Sequence, residues 1–73
     1  MGDHRHVFGQ RLQRCREHRR WSRETLSELC GVSKNMIGRY ERGEHIPSID
    51  IAAEIADVLE VSLDYLAGRQ KFL

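Results

Sequence analysis

The chain has 73 residues, of which 40% are apolar, and a formal net charge of +1. This length suits one small domain with a modest core and excludes a two-domain enzyme. No apolar run approaches the roughly 20 residues of a membrane-spanning helix. Residues 1–10 also lack the apolar centre of a signal peptide, so we expect a cytoplasmic protein.

Hydrophobic spacing predicts a first helix over residues 7–19, because Phe8, Leu12 and Cys15 recur at intervals of four and three. Four serines then stand where a helix N-cap is expected. The helices that they predict cover residues 23–30, 34–42, 49–59 and 63–67, after Ser22, Ser33, Ser48 and Ser62. Gly31 and Gly43 are predicted to end the second and third helices, since glycine adopts the left-handed conformation easily.

This order of elements predicts an all-α fold with no strand. The boundaries divide the chain into a flexible N-terminal segment (1–6), a helical domain (7–67) and a C-terminal tail (68–73). Only Val32 and Ser33 separate Gly31 from the third helix, so the second and third helices should cross steeply, as in a helix-turn-helix unit.

The charges are segregated along the chain. Residues 1–42 contain ten Lys+Arg and five Asp+Glu, whereas residues 43–68 contain six acids and no Lys or Arg. Solvated helix faces would also carry charge, but this clean separation favours a basic surface, formed by residues 1–42, that binds a polyanion; we call it the basic front. Arg11, Arg14, Arg19 and Arg20, in or just after the first predicted helix, are expected to be solvated or to act at long range, with at most one phosphate contact among them.

The third predicted helix has one apolar and one polar side. Ile37 and Tyr40 point inward, and the polar side carries Lys34, Asn35, Arg39 and Arg42. Gly38 lies on that polar side and is expected to leave a low point on the surface. Asn pairs with adenine edges, and Lys or Arg with guanine edges, in the major groove of DNA. A merely soluble helix could look similar, but the turn and the basic front favour DNA binding.

With these residues in view, "SRETLSELCGVSKNMIGRYERGEHIPSIDIAAEIADVLEVSLDYL" resembles the helix-turn-helix domain of the Cro and phage-repressor (Xre-type) transcriptional regulators. The likeness covers residues 8–66 and rests on "GVS", "ERG", "PS" and "VSLDYL" in that order. It implies a five-helix, lambda-repressor-like DNA-binding domain whose helices 2 and 3 form the helix-turn-helix. It also implies a homodimer that binds a (pseudo)palindromic double-stranded DNA operator and is associated with the bacterial nucleoid.

The resemblance assigns roles by position. The implied base-reading residues are Lys34, Asn35 and Arg39, with Met36 beside them. The implied phosphate-binding residues are Ser22, Arg23, Ser33 and Arg42. Arg16 and Glu41 are implied to form a structural ion pair. Glu44 departs from the pattern, since many members have a cation there, which places a loop contact to phosphate in question.

An enzyme is not expected, because the sequence has no catalytic arrangement, metal cluster or glycine-rich phosphate loop. We likewise expect no cofactor, no metal and no small-molecule ligand. Cys15 and Cys30 fit free thiols better than a disulfide or metal pair. The alternative function is a protein-interaction adaptor or antitoxin, in which the acidic fourth and fifth helices hold a partner protein.

A few apolar residues are the only sequence signal for self-association. The apolar residues that five short helices could leave exposed are Ile51, Tyr65, Phe72 and Leu73. Alternatively, Tyr65 only covers the core and the last two residues fray.

Overall fold

The computed structural model describes residues 4–71, which form five helices and no strand. They are α1 (His4–His18), α2 (Arg23–Cys30), α3 (Lys34–Glu41), α4 (Ile49–Leu59) and α5 (Leu63–Leu66). The predicted all-α fold is therefore confirmed, and α2 to α5 start where the serine caps placed them. Among the described residues, no helix is long and apolar enough to cross a bilayer.

The first helix starts earlier than predicted. His4, Arg5 and His6, assigned above to a flexible segment, form the first turn of α1. The His4 Nδ1 lies within hydrogen-bonding distance of the Ala67 carbonyl oxygen, at 2.9 Å. This contact joins residues 63 positions apart, which explains why local sequence gave no start signal. Residues 1–3, the rest of the predicted segment, lie outside the described residues, as do Phe72 and Leu73.

Four serines begin the remaining helices in the same way. Each has an extended backbone, and its hydroxyl accepts a hydrogen bond from the backbone N–H three residues later. The four caps are Ser22, Ser33, Ser48 and Ser62. Each bond satisfies one N–H that would otherwise lack a partner in the first turn.

Two left-handed glycines set the ends of α2 and α3, as predicted. Gly31 has φ of 70° and its N–H donates to the Ser27 carbonyl. Gly43 has φ of 75°, and its N–H donates to the Tyr40 carbonyl at 3.1 Å. The N–H of Glu44 then reaches the Arg39 carbonyl at 3.0 Å, which completes a Schellman motif.

The core draws on all five helices. Its fully buried large side chains are Leu12, Leu26, Ile37, Ile55, Leu59 and Leu66. Helix α3 packs against α1 and α2, while α5 packs against α1 and α4. Tyr65 is only 5% exposed and Ile51 is half-buried. The interpretation of Tyr65 as an exposed self-association residue is therefore wrong, because its ring completes the core.

Helices α1 and α3 approach closely at Gly9. A Cβ atom at this position would lie 2.5 Å from the Glu41 carbonyl oxygen and would also collide with that of Tyr40. No side chain larger than hydrogen fits without moving one of the two backbones. This contact fixes the C-terminal half of α3 on α1.

Arg11 in α1 and Arg19 just after its end bind the C-terminal part of the fold instead of being solvated as expected. Arg11 Nη1 donates to the Tyr65 carbonyl at 2.6 Å and also to that of Gln70, and its guanidinium lies 4.3 Å from the Tyr65 ring centroid. Arg19 Nη2 donates to the Leu59 carbonyl at 3.1 Å. These cations hold the end of α4, α5 and the start of the tail against α1.

Candidate nucleic-acid interface

Helix α3 presents a polar surface on one side and is buried on the other. Ile37 and Tyr40 are 0% and 2% exposed, whereas Lys34, Asn35 and Arg39 are exposed. The three exposed side chains make no hydrogen bond within residues 4–71, so their donors and acceptors are available to another molecule.

Met36 differs from the other base-reading candidates. Its side chain is half-buried and packs against the core, and its backbone N–H donates to the Ser33 hydroxyl at 3.1 Å. Only part of the thioether surface can therefore contact a ligand beside Asn35.

A shallow polar groove runs between α1, the start of α2 and the start of α3. It brings together four of the predicted contact residues, which are Ser22, Arg23, Lys34 and Asn35. Ser22 and Ser33 use their hydroxyls as N-caps, but the first backbone N–H groups of both helices point outward along the helix axis, where an anion is favoured.

A buried ion cluster lies behind this groove. The Glu41 side chain is 1% exposed and accepts hydrogen bonds from Arg16 Nε at 2.6 Å and Nη2 at 3.2 Å. The same carboxylate accepts from Arg23 Nε at 2.9 Å. Arg16 Nη1 also donates to the Trp21 carbonyl at 2.8 Å. The implied pair of Arg16 and Glu41 is thus present, and it has a third member in Arg23.

Arg23 is both a member of this ion cluster and partly exposed to solvent. One edge of its guanidinium binds Glu41, while the side chain remains 41% exposed at the start of α2. The charge-assisted bond restrains the direction of the guanidinium. The sequence predicted only a phosphate contact for Arg23. The one signal for its bond to Glu41 was the short connection between α2 and α3, which brings these helices together.

At the other end of α3, Arg42 is paired within the protein. Its Nε donates to Glu44 Oε2 at 2.8 Å and its Nη2 to Oε1 at 3.4 Å. Both side chains are about half exposed, at 52% and 54%. The hydrogen bond from Arg42 holds the pKa of the Glu44 carboxyl below its usual value. The sequence placed this acid two residues after Arg42, but the pairing was not predicted.

The expected low point at Gly38 is covered. The residue is buried, and a Cβ atom built on it would lie 3.0 Å from Arg42 Nη1. The expectation of an open surface was wrong because the Arg42 guanidinium, which also binds Glu44, lies over Gly38. A ligand reaching Gly38 must first displace that guanidinium.

Comparison with known proteins agrees with this fold. A family model described as helix-turn-helix matches residues 12–66. The uncharacterized HTH-type transcriptional regulator YazB of Bacillus subtilis is 34% identical over 65 residues, covering 89% of this chain and 94% of YazB. The HTH-type transcriptional regulator AnsR of the same organism is 34% identical over 61 residues, covering 84% of this chain and 53% of AnsR. The chain therefore spans nearly all of one relative and about half of the other.

A solved structure shows that the fold is also shared. The restriction-modification controller protein C.AhdI of Aeromonas hydrophila superimposes with a TM-score of 0.80 and 32% identity, over 85% of this chain and 94% of that protein. The chain belongs to the helix-turn-helix family of DNA-binding transcriptional regulators, which are not enzymes.

Proposed function

We propose that this protein is a sequence-specific regulator that binds an operator by inserting α3 into the major groove. The observation that carries the proposal is the pair of faces on α3, with Lys34, Asn35 and Arg39 exposed opposite a fully buried Ile37. A major groove about 12 Å wide accepts one helix of about 10–12 Å diameter.

The exposed side chains have separate roles in this proposal. Asn35 pairs with the N6 and N7 edge of adenine, and Lys34 and Arg39 donate to guanine O6 or N7. Arg23 and Arg42, together with the first N–H groups of α2 and α3, bind phosphates on either side of the groove. Phosphate contacts set the position of the protein and carry no sequence information.

The proposed assembly is a homodimer on a (pseudo)palindromic operator, attached through DNA to a bacterial nucleoid. Two copies related by a twofold axis would place their α3 helices on half-sites about 34 Å apart. Exposed apolar surface supports self-association, since Ile46 and Ile49 are 48% and 75% exposed. Sedimentation of the wild type and of Ile49→Glu across a concentration series tests this surface, and a wild type that stays monomeric on its operator would contradict the dimer.

The site assignment is tested by selecting an operator from random duplex DNA and measuring its affinity for variants. We expect Asn35→Ala and Arg39→Ala each to weaken binding about 5- to 150-fold and to relax the selected sequence, since a good base contact contributes about 1–3 kcal/mol of discrimination. Arg69→Ala is the charge-matched control for Arg39→Ala, because Arg69 is exposed beyond α5. Unchanged affinity and unchanged sequence preference in both α3 variants would refute the assignment.

A second candidate function is an adaptor or antitoxin that holds a basic partner protein. The supporting observation is an exposed acidic stripe on α4, where Asp50, Glu54 and Asp57 follow helical spacing. Salt dependence separates the two functions. Affinity that depends on phosphate contacts falls steeply between about 50 and 200 mM salt. An absence of DNA affinity even at low salt would favour the adaptor.

A further inference from the structure

The Arg42–Glu44 pair stands at the end of α3 where the proposed function places a phosphate contact. Each side chain is about half exposed, so the pair is open to solvent and to an approaching duplex. Glu44 offers both carboxylate oxygens to the guanidinium, at 2.8 and 3.4 Å. An arginine binds a carboxylate and a phosphate with the same donor fork, so the two anions compete for one group.

Glu44 is held in this position by the backbone. Its N–H donates to the Arg39 carbonyl in the Schellman motif that closes α3, directly after the left-handed Gly43. The acid therefore occupies a defined place three residues beyond Glu41, the last residue of α3. Its charge is also close enough to Arg39 for that cation to contribute to the lowered pKa of the Glu44 carboxyl.

Helix stability does not account for an acid at this place. The C-terminus of a helix carries partial negative charge, so a nearby carboxylate is unfavourable and a cation is favourable. Arg42 alone would suit the end of α3 better than Arg42 with Glu44 beside it. The paired guanidinium also lies over Gly38, where a Cβ atom would be 3.0 Å from Arg42 Nη1.

We propose that Glu44 occupies the phosphate-binding guanidinium of Arg42 in the free protein, so that DNA must displace an internal carboxylate to make this contact. The inference rests on the proposed function. Displacement leaves Glu44 without its partner, and the freed carboxylate then recruits a cation from solution. Binding therefore releases about one counterion fewer than the number of phosphate contacts implies. Glu44 lowers affinity for all DNA sequences alike, because the contact that it opposes does not read bases.

The test compares Glu44→Gln with Glu60→Gln, which removes the same charge from another exposed ion pair, between Glu60 and Arg19. Fluorescence anisotropy measures affinity for the selected operator and for a scrambled duplex between about 50 and 200 mM salt. We expect Glu44→Gln to bind both duplexes about two- to fivefold more tightly than Glu60→Gln, the range of an exposed ion pair. The salt slope should be steeper by about 0.9.

A double variant separates release of Arg42 from simple repulsion of DNA by Glu44. In an Arg42→Gln background, the gain from Glu44→Gln should fall to the value of the Glu60→Gln control. The inference is overturned if the gain persists in that background, if Glu44→Gln and Glu60→Gln bind equally, or if Glu44→Gln alters the selected sequence. A wild type that binds no duplex at low salt would instead remove the proposed function, and this inference with it.

Discussion

Loss of the Glu41 carboxylate should destabilise the fold strongly. Glu41→Gln keeps the shape of the side chain but removes its charge, while Arg16 stays about nine-tenths buried. The glutamine retains one acceptor oxygen for two guanidinium groups that now approach at 2.6 and 2.9 Å. Breaking a buried ion pair costs about 3–5 kcal/mol, because the remaining charge is left without compensation. We expect a loss near the lower value, since Arg23 is 41% exposed and can be hydrated.

Thermal and urea unfolding, followed by circular dichroism, measure this loss. For a domain of this size about 1 kcal/mol corresponds to about 4–8 °C, so Glu41→Gln should lower the melting temperature by at least about 12 °C. The control is Glu17→Gln, because Glu17 lies 3.9 Å from the same Arg16 but is 59% exposed. That variant should stay within about 0.5 kcal/mol of the wild type. A Glu41→Gln variant as stable as the control would refute the assignment of a stabilising buried pair.

Two further predictions concern glycine and cysteine positions. Gly9→Ala should destabilise the protein by about 1–3 kcal/mol through overpacking against the Glu41 carbonyl. Gly38→Ala should be neutral or stabilising, because its Cβ meets only the flexible end of Arg42; equal urea midpoints for the two variants would contradict the close contact. Burial raises the pKa of the Cys30 thiol to about 11, so folding favours its protonated form. Its contribution to stability is present below the unfolded pKa near 9 and is lost as pH rises toward 11. Cys30→Ala should therefore lose less stability than the wild type between pH 8 and pH 10.5, as measured by urea midpoints, and parallel losses would exclude this contribution.

The order of the five helices and the starts of α2 to α5 were predictable because their signals are local. Ser33 and Gly43 mark the start and end of α3 within a few residues of sequence. The burial of Ile37 and Tyr40 followed from helical spacing alone. Each of these features depends on residues that are neighbours along the chain.

Contacts between distant residues were not predictable in the same way. The early start of α1 depends on His4 and Ala67, and the close approach at Gly9 depends on the backbone of α3. Arg11 is typical of a solvated arginine in sequence, yet it binds carbonyls 54 and 59 residues away. Helical periodicity identifies which side of a helix is buried, but it does not identify the partner on that side.

At the candidate site, the sequence predicted the exposed polar residues of α3. It did not predict which carboxylates bind the two arginines proposed to contact phosphate. Arg23 and Arg42 are both bound to carboxylates, one buried and one exposed. The Arg42 partner lies only two residues away, so charge spacing could have suggested it. The Arg23 partner lies 18 residues away across the turn, and only the packed geometry identifies it.

The single carboxylate that binds both Arg16 and Arg23 also has an evolutionary consequence. The Glu41 carboxylate connects α3 to Arg16 of α1 and Arg23 of α2, and Glu41 lies on the inward side of α3. The outward residues of the same helix take no part in this connection. Under the proposed function, substitutions at positions 34, 35 and 39 can therefore produce paralogues with new operator preferences while the helix keeps its inclination to the rest of the domain.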